Sequence, residues 1–330
     1  MISPFTGKEM KRINEKRIWK FRGENFEYIH TAWLCEDTGE QFTTDESDTA
    51  GYNQVINQYR TKYGIPFTDE IIDTRKKYQI SAAKMSLLLG LGINQYRLYE
   101  QGEVPNVSNG KMIRSIMNPR VMLELVKSSS NMLSKKDYDK IYKQIVDYIS
   151  DCEANPYREY ELKRIYGAVG RGAENGYGPQ SLERLKQALL YILNHCESVW
   201  CTKMNKLLYY IDFLSYRETG MSITGLTYRA IDYGPVPEGW ERVYSSFIEI
   251  SQEIKQINNY IGHLLTTNTD ANTEVFCKQE LDIIDKVCHT LGNLSSKQLT
   301  ETSHQEDGWI RCEGEHLRIP FDSAMTLKGI

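Results

Sequence analysis

A chain of 330 residues, 40% apolar and 25% charged, has the composition of a globular protein and is too long for one small core, so two or three domains are expected. No stretch approaches the run of about 18 apolar residues that spans a membrane. The opening Met1-Ile2-Ser3-Pro4-Phe5-Thr6 lacks the apolar segment of a signal peptide, so a cytoplasmic protein with no membrane partner is expected.

The net charge of −4 conceals a local asymmetry. Arg75 to Lys127 holds nine Lys/Arg against three Asp/Glu, a net +6, while Ser128 onward holds 22 against 28, a net −6. A basic block in an acidic chain is the footprint of a nucleic-acid surface, and equally occurs on solvated helices. The seven cysteines are odd in number, scattered, and form no Cys-x-x-Cys pair, which suits reduced thiols without a disulfide. Tyr outnumbers Phe by 22 to 9, a bias that suits half-buried surfaces and partner interfaces.

In chain order, residues 1–45 alternate as strands do: Trp19 and Phe21, then Phe26 and Tyr28, flank the turn Arg22-Gly23-Glu24-Asn25. Thr43 to Phe67 reads as a polar lead-in to a short helix carrying Val55, Ile56 and Tyr59. A compact helical region is expected over 68–128. Ser134 caps a connecting helix to about Glu153, with Ile141, Ile145 and Ile149 recurring every four residues until Asn155-Pro156 stops it. Gly167 to Pro179 holds five Gly and one Pro, a loop by composition. From Ser181 the pattern is helical again, with one extended piece near 223–233.

The strongest local signal runs from Tyr78 to Pro105. Ser81 is a plausible N-cap for a helix with Ala82, Met85, Leu88 and Leu89. Gly90 and Gly92 supply a tight turn, and a second helix is expected from about Ile93 to Gln101, ended by Gly102 and Pro105. Ile93, Tyr96 and Tyr99 would pack inward, leaving Asn94, Gln95, Arg97 and Leu98 on the open side. Asn and Gln suit adenine, and Arg suits guanine or phosphate. Lys84 and Lys111 are further candidate DNA contacts. The run Leu89-Gly90-Leu91-Gly92 through Tyr99-Glu100-Gln101-Gly102 resembles the Xre-like helix-turn-helix.

The N-terminal region resembles the metal-binding half of MqsA-type antitoxins, which begin Cys-Pro-x-Cys-Gly and carry a second Cys-x-x-Cys after a strand pair. Here the matching stretches are Ser3-Pro4-Phe5-Thr6-Gly7 and Cys35-Glu36-Asp37-Thr38-Gly39-Glu40, with Phe21-Arg22-Gly23 and Ile29-His30 between them. Only Cys35 survives of four ligand positions. Structural zinc requires four thiolate or imidazole ligands, and hydroxyls do not replace them, so this region is expected to fold without metal.

Residues from about Gly176 to Ile330 resemble the Panacea domain, the SocA-like antitoxin domain. The resemblance is carried by Gly176-Tyr177-Gly178-Pro179, Thr202-Lys203-Met204-Asn205-Lys206-Leu207-Leu208-Tyr209-Tyr210-Ile211-Asp212-Phe213, Ser222 to Tyr228, Tyr233-Gly234-Pro235-Val236-Pro237, and Leu299 to Glu306 with Trp309. Independently, Met204, Leu207, Leu208 and Ile211 form one stripe widened by Tyr210, Phe213 and Leu214, as in a helix central to a core. Lys203, Lys206 and Asp212 lie off that stripe, where solvation is their plain role. Gly-Pro-Val-Pro is stiff and suits a docking edge or a structural turn equally. Lys203, Lys206, Tyr210, Tyr233, Val236 and Trp240 are candidate toxin contacts.

The expected class is mainly α: a small β-containing N-terminal subdomain, a helix-turn-helix bundle, then a mostly helical Panacea domain with a short β element. The expected divisions are 1–67, 68–133, a linker helix and loop over 134–175, and 176–330. The resemblances imply an antitoxin of a type II toxin–antitoxin pair that binds its toxin directly and represses its own operon. Its expected partners are the cognate toxin, operator double-stranded DNA and a second copy of itself. A phage or mobile-element repressor whose second half senses a ligand or partner is the alternative. A hydrolase built on Ser303, His304 and Glu306 is a third reading, weakened because helix neighbours point about 100° apart. No nucleophile elbow, phosphate loop or metal-ligand helix is present, and neither enzyme chemistry nor a cofactor is expected.

Overall fold

The computed structural model describes residues 1–257 and 260–330. The mainly α class holds, with a small N-terminal sheet and short strands in the second half. The chain resolves into two compact units, one of residues 1–55 with 160–330 and one of residues 56–159.

The first unit opens with strands β1 (Lys11–Phe21) and β2 (Glu24–Leu34), paired antiparallel with Trp19 opposite Phe26. Arg22 and Gly23 both adopt positive φ, 49° and 88°. A two-residue hairpin turn of that hand matches strand twist, which is why Gly is needed there. The turn is tighter than its composition suggested, and Glu24 and Asn25 already belong to β2. A short β3 (Gln41–Phe42) completes the sheet. Helix α1 then runs over Asp45–Tyr63, much longer than the short helix expected. Asp45, Glu46 and Asp48 in its first turn favour the positive end of the helix dipole, and Arg60 and Lys62 favour the other. The chain passes from the first unit into the second within α1.

The second unit contains α2 (Thr68–Lys77), α3 (Ala82–Leu88), α4 (Gln95–Glu100), α5 (Val107–Ile116), α6 (Pro119–Ser128) and α7 (Lys135–Ala154). Ser81 caps α3 through Lys84 N–H at 3.3 Å, and Ser134 caps α7 through Asp137 N–H at 3.2 Å. Their apolar stripes meet in one core around Ile71, Met85, Tyr96, Ile113 and Met122. Ile141 and Ile145 of α7 lie in that same core, so the helix expected as a connector is a wall of the bundle. Two buried phenols find carbonyls, Tyr78 at Ile116 and Tyr96 at Ile71, both at 2.8 Å.

Helix α8 (Tyr157–Tyr166) carries the chain back into the first unit. A glycine-rich loop leads to α9 (Leu182–His195), capped by Ser181, and to α10 (Cys201–Thr219). Helix α10 is buried at 15 of its positions, including nearly all from Cys201 to Tyr216. Burial around its whole circumference marks it as the axis of the core. Around it lie the hairpin β4 (Tyr228–Ile231) with β5 (Gly234–Pro237), α11 (Trp240–Ser245), the hairpin β6 (Ser251–Ile257) with β7 (Tyr260–Thr266), α12 (Lys278–Leu291), α13 (Ser296–Ser303) and α14 (Asp307–Cys312). The hairpin β6–β7 and helix α8 were missed in the sequence.

The N-terminal sheet is part of this same unit. Arg12 of β1 pairs with Glu218 of α10 at 2.9 Å, Asn14 donates to the Met325 carbonyl at 2.8 Å, and Asn53 donates to the Thr219 carbonyl at 2.8 Å. Gly220 ends α10 at φ +76°, and a β-carbon there would fall 2.8 Å from the Ala50 carbonyl oxygen, so only glycine fits the approach.

Candidate functional site

The two short helices α3 and α4 are joined by the turn 89–94, with Asn94 as the residue before α4. Tyr96 and Tyr99 point into the core, leaving Asn94, Arg97 and Leu98 exposed on one side. Ile93, expected inside, is 83% exposed: it precedes the helix, so helical spacing does not apply to it. The six candidate DNA contacts are not equally available. Arg97 and Lys111 are exposed and carry no ion pair among the described residues. Gln95 is half-buried, its amide nitrogen held by Glu103 at 3.0 Å. Lys84 is bound to Asp137 at the start of α7. Much of the basic block is internally neutralised: Arg75 pairs with Glu100 at 2.5 Å, and Arg114 grips both oxygens of Glu70 at 3.0 and 3.1 Å.

The two N-terminal loops fold as facing turns. Gly7 N–H returns to the Ser3 carbonyl at 3.0 Å and Gly39 N–H to the Cys35 carbonyl at 2.8 Å. Ser3 Oγ donates to Cys35 Sγ at 3.2 Å, and Thr6 Oγ1 lies 3.8 Å from the same sulfur. Hydrogen bonds from Ser3 and then Thr38 lower the Cys35 thiol to about 7. The four positions thus converge, but their donor set is three hydroxyls and one thiol, which does not fit zinc. Among the described residues no group of three or more His, Cys, Asp or Glu side chains is placed to hold a metal.

In the second half, the burial of α10 corrects the placement of its polar residues. Lys203, Lys206 and Asp212 were expected at the surface and lie inside, because α10 is covered on every side. Lys203 Nζ donates to the carbonyls of Glu197 at 2.8 Å and Gly292 at 2.5 Å. Asp212 accepts from Ile223 N–H and Thr224 N–H at 2.8 Å each, from Tyr228 OH at 2.7 Å, and from the Thr224 hydroxyl. Burial pushes the Asp212 carboxyl up, and those donors oppose the shift without reversing it. Tyr210 is buried with its hydroxyl on Glu306 at 2.9 Å, and Val236 is buried in β5. Four of the six candidate toxin contacts, Lys203, Lys206, Tyr210 and Val236, therefore present no side chain to an incoming protein. Tyr233, 70% exposed at the tip of the β4–β5 turn, and half-buried Trp240 do. The Gly-Pro-Val-Pro segment is strand β5, wholly buried, so what the hairpin exposes is its turn and not the segment itself.

Ser303, His304 and Glu306 do not assemble into a relay. Ser303 Oγ donates to the Thr300 carbonyl at 3.0 Å, His304 stacks on Trp309 with centroids 3.9 Å apart, and Glu306 is held by Tyr210 and by the N–H groups of Lys328 and Gly329. Two nitrogens beside them stand out. Lys206 Nζ and His304 Nε2 are both buried and, among the described residues, without a hydrogen-bond partner. Neither was legible in the sequence, since a lysine one turn off an apolar stripe reads as solvated.

Residues 204–310, from α10 through most of α14, match the family model of the antitoxin SocA-like, Panacea domain. No curated protein and no solved structure matches the chain. No helix among the described residues is long and apolar enough to cross a membrane.

Proposed function

We propose that this chain is the antitoxin of a type II toxin–antitoxin pair, which binds its toxin through the second half and its own operator through the α3–α4 segment. The observation that carries the reading is the SocA-like antitoxin match over 204–310. The exposed Tyr233 turn and half-buried Trp240 are the side chains of the candidate set open to a toxin. Support for DNA recognition comes from the open side of α4, where Asn94 and Arg97 stand clear of the core. Ile93 and Leu98 add an apolar surface suited to thymine methyl groups. Lys111 supplies a phosphate contact, whereas Lys84 and Gln95 must first release Asp137 and Glu103.

Readers of this geometry use paired half-sites, so a homodimer or larger assembly is part of the proposal. With two binding sites on one chain, toxin changes operator affinity by the same factor as operator changes toxin affinity. Co-expression with the neighbouring gene tests the core of it. Growth rescue and co-purification are expected, and failure to rescue cells from any adjacent gene product overturns the antitoxin reading. On the DNA side, Asn94→Ala is expected to cost about 1–3 kcal/mol on the specific site and little on random duplex. Equal losses on both, in a gel-shift titration at fixed salt, remove the base-reading role.

A further inference from the structure

We infer that Lys206 and His304 form a binding site for a single oxyanion, a carboxylate or a phosphate, received beneath the turn 232–234. The two nitrogens come from different elements, α10 and the end of α13, and both side chains lie against the turn 232–234, Lys206 beside Gly234 and His304 on the Asp232 backbone. Each is buried and, among the described residues, unpartnered. Buried polar nitrogens without partners are rare in folded proteins, and two together are rarer still. Lys206 is wholly buried, and ammonium can only donate. His304 Nε2 has no partner, and the imidazole bonds to the Asp232 backbone, so Nδ1–H is the donor there. Protonated, the ring then presents Nε2–H as a second donor beside the same turn. Two N–H donors of positive charge at one turn are the recognition chemistry of an oxyanion.

Two of the acids nearby are already committed: Glu306 is taken by Tyr210 and the Lys328 and Gly329 N–H groups, and the Asp232 carboxylate faces His316 at 3.6 Å. Glu313 acts on the charge of His304 without bonding to the ring. Burial brings the Lys206 ammonium down to about 7 with no carboxylate opposing it, and burial, then Lys206, brings the His304 imidazole below its ordinary range against the pull of Glu313.

The roof of the site is thin. Gly234 sits at φ +98°, and a β-carbon there would lie 2.6 Å from Ser303 Oγ, 2.9 Å from Lys206 Cε and 3.2 Å from Lys206 Nζ. Any side chain at 234 would push the amine aside, so glycine lets the turn lie directly against it. The preceding residue, Tyr233, is exposed, which leaves one turn of backbone between the ammonium and solvent. His304 is held in place by its stack on Trp309, whose indole N–H donates to the Ile231 carbonyl at 3.0 Å.

The test uses the full chain with isotope-labelled lysine and histidine, the Lys206 signal being identified by its loss in Lys206→Met. Acetate and inorganic phosphate are titrated separately at constant ionic strength against chloride. A saturable shift of the Lys206 and His304 signals toward their charged forms is expected with acetate or phosphate and not with chloride. His304→Phe, whose ring keeps the stack on Trp309, is expected to weaken that binding about ten-fold or more, the worth of a charge-assisted hydrogen bond. A second arm repeats the measurement on the complex with the co-expressed neighbouring protein and no added anion. Charged Lys206 and His304 there identify a carboxylate of the partner as the natural occupant, whereas a response only to the added anions identifies a free one. Signals that move in neither arm overturn the site. Co-purification is scored separately, so loss of this site leaves the antitoxin reading standing, and the reverse holds too.

Discussion

Lys206→Met replaces an ammonium in the interior by an uncharged chain of similar length. Burial alone drives the Lys206 amine down from 10.5 to about 7. Between those values the unfolded chain holds a proton that the folded chain lacks, so stability rises with pH across that window. Below pH 7 both states are protonated and the cost of burying the charge is felt in full. A gap from 10.5 to about 7, at about 1.4 kcal/mol per unit, is about 5 kcal/mol, and a side chain with no exposure needs no discount for solvent screening. Lys206→Met is therefore expected to be several kcal/mol more stable than the parent at pH 6.5, with the advantage shrinking as the pH approaches 10. Urea midpoints at pH 6.5, 8 and 9.5, in buffers free of small oxyanions, give the difference directly, and other titrating groups cancel in it. A variant less stable than the parent at pH 6.5, or a difference that stays flat with pH, refutes the reasoning.

The Asp212 cluster makes the opposite prediction: Asp212→Leu strands four donors in the core, and a loss of about 3–5 kcal/mol in urea unfolding is expected; a loss below about 1 kcal/mol counts against it. Acid should loosen the N-terminal sheet. Burial raises the Glu218 carboxyl, but Arg12 and Arg217 outweigh it and leave the group below its ordinary 4.5. The stability this contributes is present above pH 4.5 and lost as pH falls through the depressed value. Arg12→Ala should cost about 1 kcal/mol at pH 7 after allowance for partial exposure, and should flatten the decline in denaturant midpoint between pH 5 and 3. Finally, Ser3→Cys, Thr6→Cys and Thr38→Cys together complete four thiols around the converging loops. Elemental analysis should find one zinc per chain in the triple variant, and no zinc despite normal folding would show that the loops lack ligand geometry.

What could be read from the residues depended on how local its cause was. The hairpin at Arg22-Gly23, the caps Ser81 and Ser134, and the stop at Asn155-Pro156 were legible because each is decided within a few residues. The β6–β7 hairpin was readable in principle, since Ser251–Ile257 and Tyr260–Thr266 flank a two-residue Asn-Asn spacer, but its scattered polar residues hid the alternation. Ile93 was misplaced by starting the helix two residues too early, where helical spacing does not yet apply. The interior positions of Lys203, Lys206 and Asp212 were illegible for a different reason. A stripe predicts which side of a helix is apolar; it does not reveal that neighbours cover the polar side as well. The contacts of β1 with the end of α10 join residues 206 apart, and nothing in either segment announces the other.

Those distant contacts also bear on how the N-terminal loops, with three hydroxyls and one thiol, hold their facing turns. A structural zinc contributes about 10–16 kcal/mol to a small domain that has little other core. Ser3 and Thr6 hydrogen bonds to one sulfur supply a small fraction of that, about 1 kcal/mol each at most. Packing within a larger unit adds to them: Arg12 on Glu218, Asn14 on the Met325 carbonyl, Asn53 on the Thr219 carbonyl, and Gly220 against the backbone of Ala50. A sheet that shares the core built on α10 has no need to fold alone, and its stability should follow the integrity of α10 more closely than that of its own loops.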